Sequence, residues 1–240
     1  MVQPKQSDIA EAKEYLRRRL AAEVSMEHYL DRKLLAAARE IIKLAYSRNI
    51  PPTLFSFEYN PYLAAEVNSI INKLIDEIEE YNILAATTTE KTKKDELIPY
   101  IYREIDGATF RDRLNLYGIK FKLELQHFIA AQMMIGFSKT DAVQRIAAEY
   151  KHLKEGRGYS AYPRLLALTR HTIADAWMHA DMEYHLRNGA IGFITYRGSS
   201  YPCDTCADYA GRFHTFADPY PPLHVNCKCY AVPVYQPFNL

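Results

Sequence analysis

The sequence predicts an α+β chain: a mainly helical body closed by a small C-terminal antiparallel β module, which a Cys/His cluster clasps. Apolar residues recur at helical spacing through most of the chain up to Arg187. Beyond Asn188-Gly189 the pattern changes to short extended runs separated by Gly and Pro turns. All four cysteines, with two of the eight histidines, crowd between Tyr201 and Tyr235.

The elements follow in chain order. From Ser7 to Ser47 the residues Ile9, Tyr15, Leu16, Leu20, Leu30, Leu34, Ala38, Ile41 and Ala45 form an apolar face opposite charged residues, which reads as one long helix or two in sequence. "NIPPTLFSFEYN" ends it, because two consecutive prolines cannot continue a helix. Asn60-Pro61 then pairs a cap residue with a proline in the first helical position. Leu63, Val67, Ile70, Ile71, Leu74, Ile75 and Ile78 carry that second helix to Leu84.

"AATTTEKTKKDE" lacks apolar periodicity and reads as a solvated linker, which places a boundary between an N-terminal helical region, 1–95, and the remainder, 96–240. After "EIDGATFRDRL" a third helix carries Phe110, Leu114, Tyr117, Phe121, Leu125, Phe128 and Ile129 and stops at Gly136. Ser138-Lys-Thr-Asp141 has the form of a capping box for a short fourth helix with Val143, Ile146, Ala147 and Tyr150 inward. "KEGRGYSAYP" reads as a loop, and a fifth helix from Pro163 to Arg187 packs Leu166, Ile173, Ala176, Trp177 and Ala180. The larger region thus comprises helices over 106–188 and a Cys-rich β module over 189–240, whose strands are "IGFITYR", "GRFHTF" and "CYAVPVY". No internal repeat is present.

Composition narrows the function classes. A length of 240 residues, 48% hydrophobic and 25% charged, suffices to bury a core. The net charge of +1 provides no overall field for nucleic acid or acidic lipid, so any contact with DNA must be local. The first twenty residues lack the apolar core of a secretion signal, and no later window forms the unbroken apolar run that a bilayer demands. Synthesis in a cytoplasm is expected, where cysteine pairs serve as metal ligands or redox groups more often than as disulfides.

The cysteine pattern is C-x2-C, twenty residues, then C-x-C, with His224 three positions before Cys227. Tetrahedral zinc takes four soft or borderline ligands, commonly as two chelating pairs. Cys203 and Cys206 form the usual knuckle pair, and in an extended segment Cys227 and Cys229 point to the same face. Five donors therefore compete for four places. The favoured set is Cys203, Cys206, Cys227 and Cys229, with His224 replacing one of them or supporting the site from outside. Two disulfides and four inert thiols are the alternatives.

A closed four-ligand site is structural, which argues against catalysis. Pro202-Cys203-x-x-Cys206 matches half of the nucleobase deaminase signature, but the H-x-E that supplies its proton-moving glutamate does not occur in the chain. Cys206 with His214 or His171 is a conceivable nucleophile and base pair. G-x-S-x-G, Walker A and G-x-G-x-x-G are absent.

An ordered series of motifs resembles one family, the phage Mu protein F-like minor head proteins, also called head morphogenesis proteins of the SPP1 type. "DGATFRDRL" resembles the family's "DG-x-TF-x-x-R" opening, and "MMIGFSKTDAVQRIA" its "G-x-S" helix junction. "CDTCADYAGRF" resembles "C-x-x-C…G-x-x-F", and "PPLHVNCKCYAVPV" the ending "PP-x-H-P-N-C-R-C…P-V". The resemblance runs from Asp106 to Tyr235 and leaves the first hundred residues uncovered. This chain departs from the family at Arg170-His171-Thr172, where Thr-Glu-Thr is usual, at Tyr196 for Trp, at Val225 for Pro and at Lys228 for Arg. None of these departures removes a candidate ligand.

The resemblance implies a structural protein of a tailed phage head, found in the virion and made in the bacterial host cytoplasm. It would associate with the portal vertex and act in head assembly, DNA packaging or genome delivery. Its partners would be the portal protein and other capsid or scaffold proteins, with packaged DNA met through local contacts, and neither a membrane nor a small-molecule substrate is expected. Some relatives carry toxin domains after the signature, for which this sequence leaves no room.

The alternative is a Cys/His- or zinc-dependent enzyme acting on protein or nucleic acid. Arg17 to Arg19 and the basic stretch near Lys93 read as solvated surfaces rather than phosphate sites. His28, His127, His152, His179 and His185 read as surface or core residues. Nineteen tyrosines suit a protein bound by partners, and core packing accounts for them equally.

Overall fold

The structure, a computed structural model, describes residues 4–48, 50–155, 160–224 and 226–235, with the backbone alone for 149–155. In chain order these form α1 (Gln6–Tyr46), two single turns of 3-10 helix (Pro52–Leu54 and Phe57–Tyr59), α2 (Pro61–Ala86), α3 (Lys94–Ile101) and α4 (Phe110–Ile135). α5 (Lys139–Glu155), α6 (Ala161–Arg187), β1 (Ala190–Tyr196), α7 (Asp204–Tyr209), β2 (Phe213–His214) and β3 (Tyr230–Tyr235) follow. The protein is therefore mainly helical with a small antiparallel sheet near the end of the chain, as the sequence predicts. No helix among the described residues is long and apolar enough to cross a membrane.

Local chemistry explains the helix ends. α1 is one helix rather than two, and Pro51-Pro52 closes the region after it. The Asn60 Oδ1 accepts from the amides of Tyr62 and Leu63 at 2.9 and 3.1 Å, satisfying donors that the first turn of α2 leaves free. Ser138 and Asp141 form the expected reciprocal cap of α5, with the serine hydroxyl accepting from the Asp141 amide at 3.2 Å. Thr109 and Asp112 do the same for α4, whose far end is closed by Gly136 at φ 85°.

Several expectations differ. α5 continues to Glu155, through the start of the stretch read as a loop, and residues 156–159 of that stretch lie outside the described residues, as does the Tyr150 side chain. Ala147 is exposed, and Ala142 takes the buried place beside Ile146. Residues 85–96 are not a uniform linker. Ala85 and Ala86 finish α2, the segment from Lys94 starts α3, and Thr89 and the Lys91 side chain are buried between them.

By contact density the chain divides into two compact units that interleave in sequence, one of residues 4–26, 82–103 and 169–235 and another of 27–81 and 104–168. The division at 95/96 follows the polarity and lack of apolar periodicity of residues 85–96, which is a different property from contact density. In the second unit Leu34, Ile41, Leu63, Val67, Ile71, Ile75, Phe121 and Leu125 are buried. An added Cβ at Gly118 would lie 2.9 Å from Ile75, so α4 and α2 approach closely there.

The first unit holds the sheet, in the order β2-β1-β3 with antiparallel pairing. β3 is an edge strand, which tolerates Pro233 opposite Phe193. Leu16 packs with Tyr230 and Val232, joined by Ile9, Leu20 and Tyr196, so the first turns of α1 cover this part of the sheet. The Tyr15 hydroxyl donates to the Trp177 carbonyl at 2.7 Å, and the Trp177 indole donates to the Ala85 carbonyl at 3.0 Å.

A buried ionic network ties the same unit together. Lys91 Nζ donates to Asp181 Oδ1 at 2.7 Å and stands 3.1 Å from His185 Nε2. The Tyr220 hydroxyl donates to Asp181 Oδ2 at 2.7 Å, and the Tyr235 hydroxyl meets His185 Nδ1 at 2.8 Å.

Candidate metal centre

β1 delivers the chain into a loop, 197–202, that runs against the backbone leading to β3. A Cβ at Gly198 would fall 2.1 Å from the Lys228 carbonyl oxygen, so only glycine fits there. Cys203 is the N-cap of α7 and Cys206 lies one turn inside it, a spacing that puts both thiols on one side. α7 has only six residues, too few for apolar periodicity to announce it in the sequence.

The distal donors come from a second turn. Asn226, at φ 64°, and a hydrogen bond from the Cys227 amide to the His224 carbonyl at 3.0 Å reverse the chain. That reversal presents His224, Cys227 and Cys229 to α7.

All five sequence-predicted donors come together. Cys203, Cys206 and His224 form one group whose ligand atoms lie within 4.8 Å of one another, and Cys206, Cys227 and Cys229 form another. Cys206 belongs to both, so it sits at the middle of the cluster. His224 Nε2 stands 3.2 Å from Cys203 Sγ and 3.1 Å from Cys206 Sγ, and Cys206 and Cys227 Sγ are 3.8 Å apart.

These spacings fit a metal ion. A tetrahedral ion bonded to sulfur at about 2.3 Å sets S···S edges of roughly 3.8 Å, and with nitrogen at about 2.05 Å sets S···N edges of roughly 3.5 Å. The cysteines are free thiols, and 3.8 Å far exceeds the ~2.05 Å of a disulfide bond. The cluster can therefore hold a metal ion. Cys206, Cys227 and Cys229 are buried, whereas His224 is exposed.

The electrostatics of the thiols differ by position. Burial pushes the Cys206 thiol up to about 11. Cys227 is drawn well below the ordinary thiol value because the Cys229 thiol and the Cys229 amide, 3.4 Å away, both donate to its sulfur. Cys229 shifts up for the reciprocal reason, since its proton is held by Cys227. Cys203 is lowered first by the Cys206 amide, which points at its sulfur from the first turn of α7.

Beside the donors opens a cavity of about 350 Å³, lined by Arg197, Tyr201, His224, Asn226 and Lys228 together with thiols. The imidazole that meets Cys206 is His224, not His214 or His171. The His214 ring stacks on Tyr209 at 4.0 Å, and its Nε2 contacts the Tyr209 carbonyl at 2.9 Å.

Arg19 is the residue of this neighbourhood that sequence reasoning missed. It is fully buried, and one of its terminal nitrogens donates to the Cys227 carbonyl at 3.1 Å. A signal was present, because Arg19 lies four residues after Tyr15 and three after Leu16, on the apolar face of α1. The other arginines of that run lie at the surface: Arg17 pairs with Glu14 at 3.2 Å and Arg18 with Glu90 at 2.6 Å.

No protein-family model, no curated protein and no solved structure matches this chain.

Proposed function

We propose that the chain is a minor head protein of a tailed bacteriophage, acting at the portal vertex in head assembly, DNA packaging or genome delivery, and that its C-terminal module is clasped by a structural zinc ion. The observation that carries the clasp is the convergence of Cys203, Cys206, His224, Cys227 and Cys229 from two turns. The ordered motifs from Asp106 to Tyr235 support the family reading, and the donor set supports zinc, which accepts thiolate and imidazole in tetrahedral geometry. The role assigned to the ion is shape, because a module this rich in turns buries too little apolar area alone and ligation can contribute to its folding.

Two experiments test this. Elemental mass spectrometry of protein purified under reducing conditions should find one zinc per chain, and a metal-free yet rigid module would refute the clasp. Imaging of phage particles formed with and without the chain should place the missing density at the portal vertex, and unchanged particles would refute the head role.

A Cys/His- or zinc-dependent enzyme is the second reading. It draws on the exposed His224 beside Cys203 at the edge of the cavity. Thiol titration separates the two, since a reactive thiol in metal-loaded protein favours the enzyme and complete protection favours the clasp.

A further inference from the structure

We propose that Arg19 is the buried counter-charge of the metal-thiolate centre, so that the first turns of α1 dock on the C-terminal module in response to the charge of the loaded clasp. This inference rests on the reading that the cluster holds an ion.

Arg19 is short of hydrogen-bond partners. It is among the largest fully buried side chains of the protein, and a guanidinium stays protonated at any working pH. Five N–H donors are thereby withdrawn from water. One nitrogen reaches the Cys227 carbonyl, but Nε and the other terminal nitrogen have no hydrogen-bond partner among the described residues. Among the described residues the one carboxylate in range is Glu23, whose Oε1 lies 3.3 Å from Nε without forming an aligned hydrogen bond.

Glu23 cannot neutralise its surroundings. It faces Arg170 and Lys228 as well as Arg19, and burial already raises its own carboxyl above the ordinary value. A buried charge left in this condition is strongly destabilising. Of the other acidic groups near Arg19, burial keeps the Tyr15 hydroxyl protonated, which leaves the thiols of Cys227 and Cys229, whose segment Arg19 holds at the Cys227 carbonyl. A divalent ion held by three thiolates and an imidazole carries a net charge of −1, and by four thiolates −2. Either supplies what Arg19 needs.

The contact also works in the opposite direction. By gripping the Cys227 carbonyl, Arg19 fixes the turn that presents Cys227 and Cys229, which makes it a positioning residue for the ligands. Partners that orient ligands in this way typically change metal affinity by about 10- to 100-fold.

The test uses the full chain with zinc as the probe, in three forms: wild type, R19M, which keeps the length of the side chain, and R19K, which keeps the charge but loses the fork. Zinc affinity is measured by competition with a chromophoric chelator, and hydrogen exchange is followed over residues 9–23 with and without zinc. We expect R19M to bind zinc at least tenfold more weakly and R19K to fall between the two. Zinc removal should expose residues 9–23 in the wild type, while zinc-free R19M should keep them more protected than zinc-free wild type, because no unpaired charge remains. If R19M fails to fold, R19K decides, since it should still bind zinc more weakly than wild type, and equal affinity there would overturn the role of Arg19.

Equal affinities in wild type and R19M, or exchange over 9–23 that ignores zinc, would overturn the role of Arg19 while leaving the clasp standing. A wild type that binds no zinc would overturn both.

Discussion

The buried pair of Lys91 and Asp181 offers the sharpest perturbation of the first compact unit. Their side chains are 7% and 5% exposed and their charged atoms are 2.7 Å apart. At an effective dielectric near 20 that separation is worth on the order of 6 kcal/mol of attraction, most of which is offset by taking both ions out of water. Asp181→Asn keeps the shape and still lets Tyr220 donate, but it strands the Lys91 ammonium. Removing one partner of a buried pair costs about 3–5 kcal/mol.

Among the described residues Lys91 has one further acid within reach, Glu11 at 3.4 Å, and that side chain is 64% exposed, so the loss should lie near the lower end of the range. Trp177 is the only tryptophan, is buried in this unit, and reports its unfolding by fluorescence. With a urea slope of about 2 kcal/mol per M, a loss of roughly 3 kcal/mol lowers the midpoint by roughly 1.5 M. Lys91→Met added to the Asn variant removes the stranded charge and should restore most of it. A single variant within about 0.5 kcal/mol of wild type, or a double variant no better than the single, would refute this account of the network.

The same carboxylate sets a pH dependence. Burial alone would raise the Asp181 pKa, but the hydrogen bond from His185 and the charge of Lys91 hold it below the ordinary value. Its stabilisation is therefore complete above about pH 4 and is lost as pH falls through the lowered value, a limb that D181N should lack in acid titrations of unfolding. Zinc binding must expel the proton that burial retains on Cys206, so the apparent affinity should rise by about tenfold per pH unit for each proton released, and a flat profile between pH 6 and 8 would contradict a thiolate site. Cys227→Ser, or chelation of the wild type, should raise hydrogen exchange in α7 and β3 and leave the amides of α4 protected; uniform protection would exclude the clasp. Gly198→Ala drives a methyl group into the Lys228 carbonyl, so it should cost about 3 kcal/mol and weaken zinc binding, measured by urea titration and chelator competition.

Much of the architecture was legible because it rests on local rules. The α2 and α5 starts were readable from Asn60-Pro61 and from Ser138 with Asp141, since a cap is a contact between residues two or three apart. The three strands were readable from turn residues and alternation, and the donor cluster from cysteine spacing. α3 was missed because it has eight residues, buries only Leu97 and Ile101, and contains Pro99. α7 was missed because six residues give no periodicity. Thr89 and Lys91 look like solvated linker residues in sequence, and what buries them is Tyr15 and Asp181, which lie 74 and 90 residues away.

Arg19 was legible in part, since its spacing from Tyr15 and Leu16 puts it on the apolar face of α1, and it bears on how the proposed clasp would work. In a run of three arginines the two at the surface form exposed ion pairs of the kind that contribute little, whereas the third lies on the apolar face of the helix without an adequate carboxylate. A helix that docked on the module through Leu16 and Leu20 alone would be more stable with methionine at position 19, by the general rule that buried ionic groups rarely outperform apolar ones of the same volume. The arginine makes physical sense if what it faces gains negative charge when an ion is bound. On that reading the cost of burying it makes docking conditional on loading, a distinction that apolar packing could not provide.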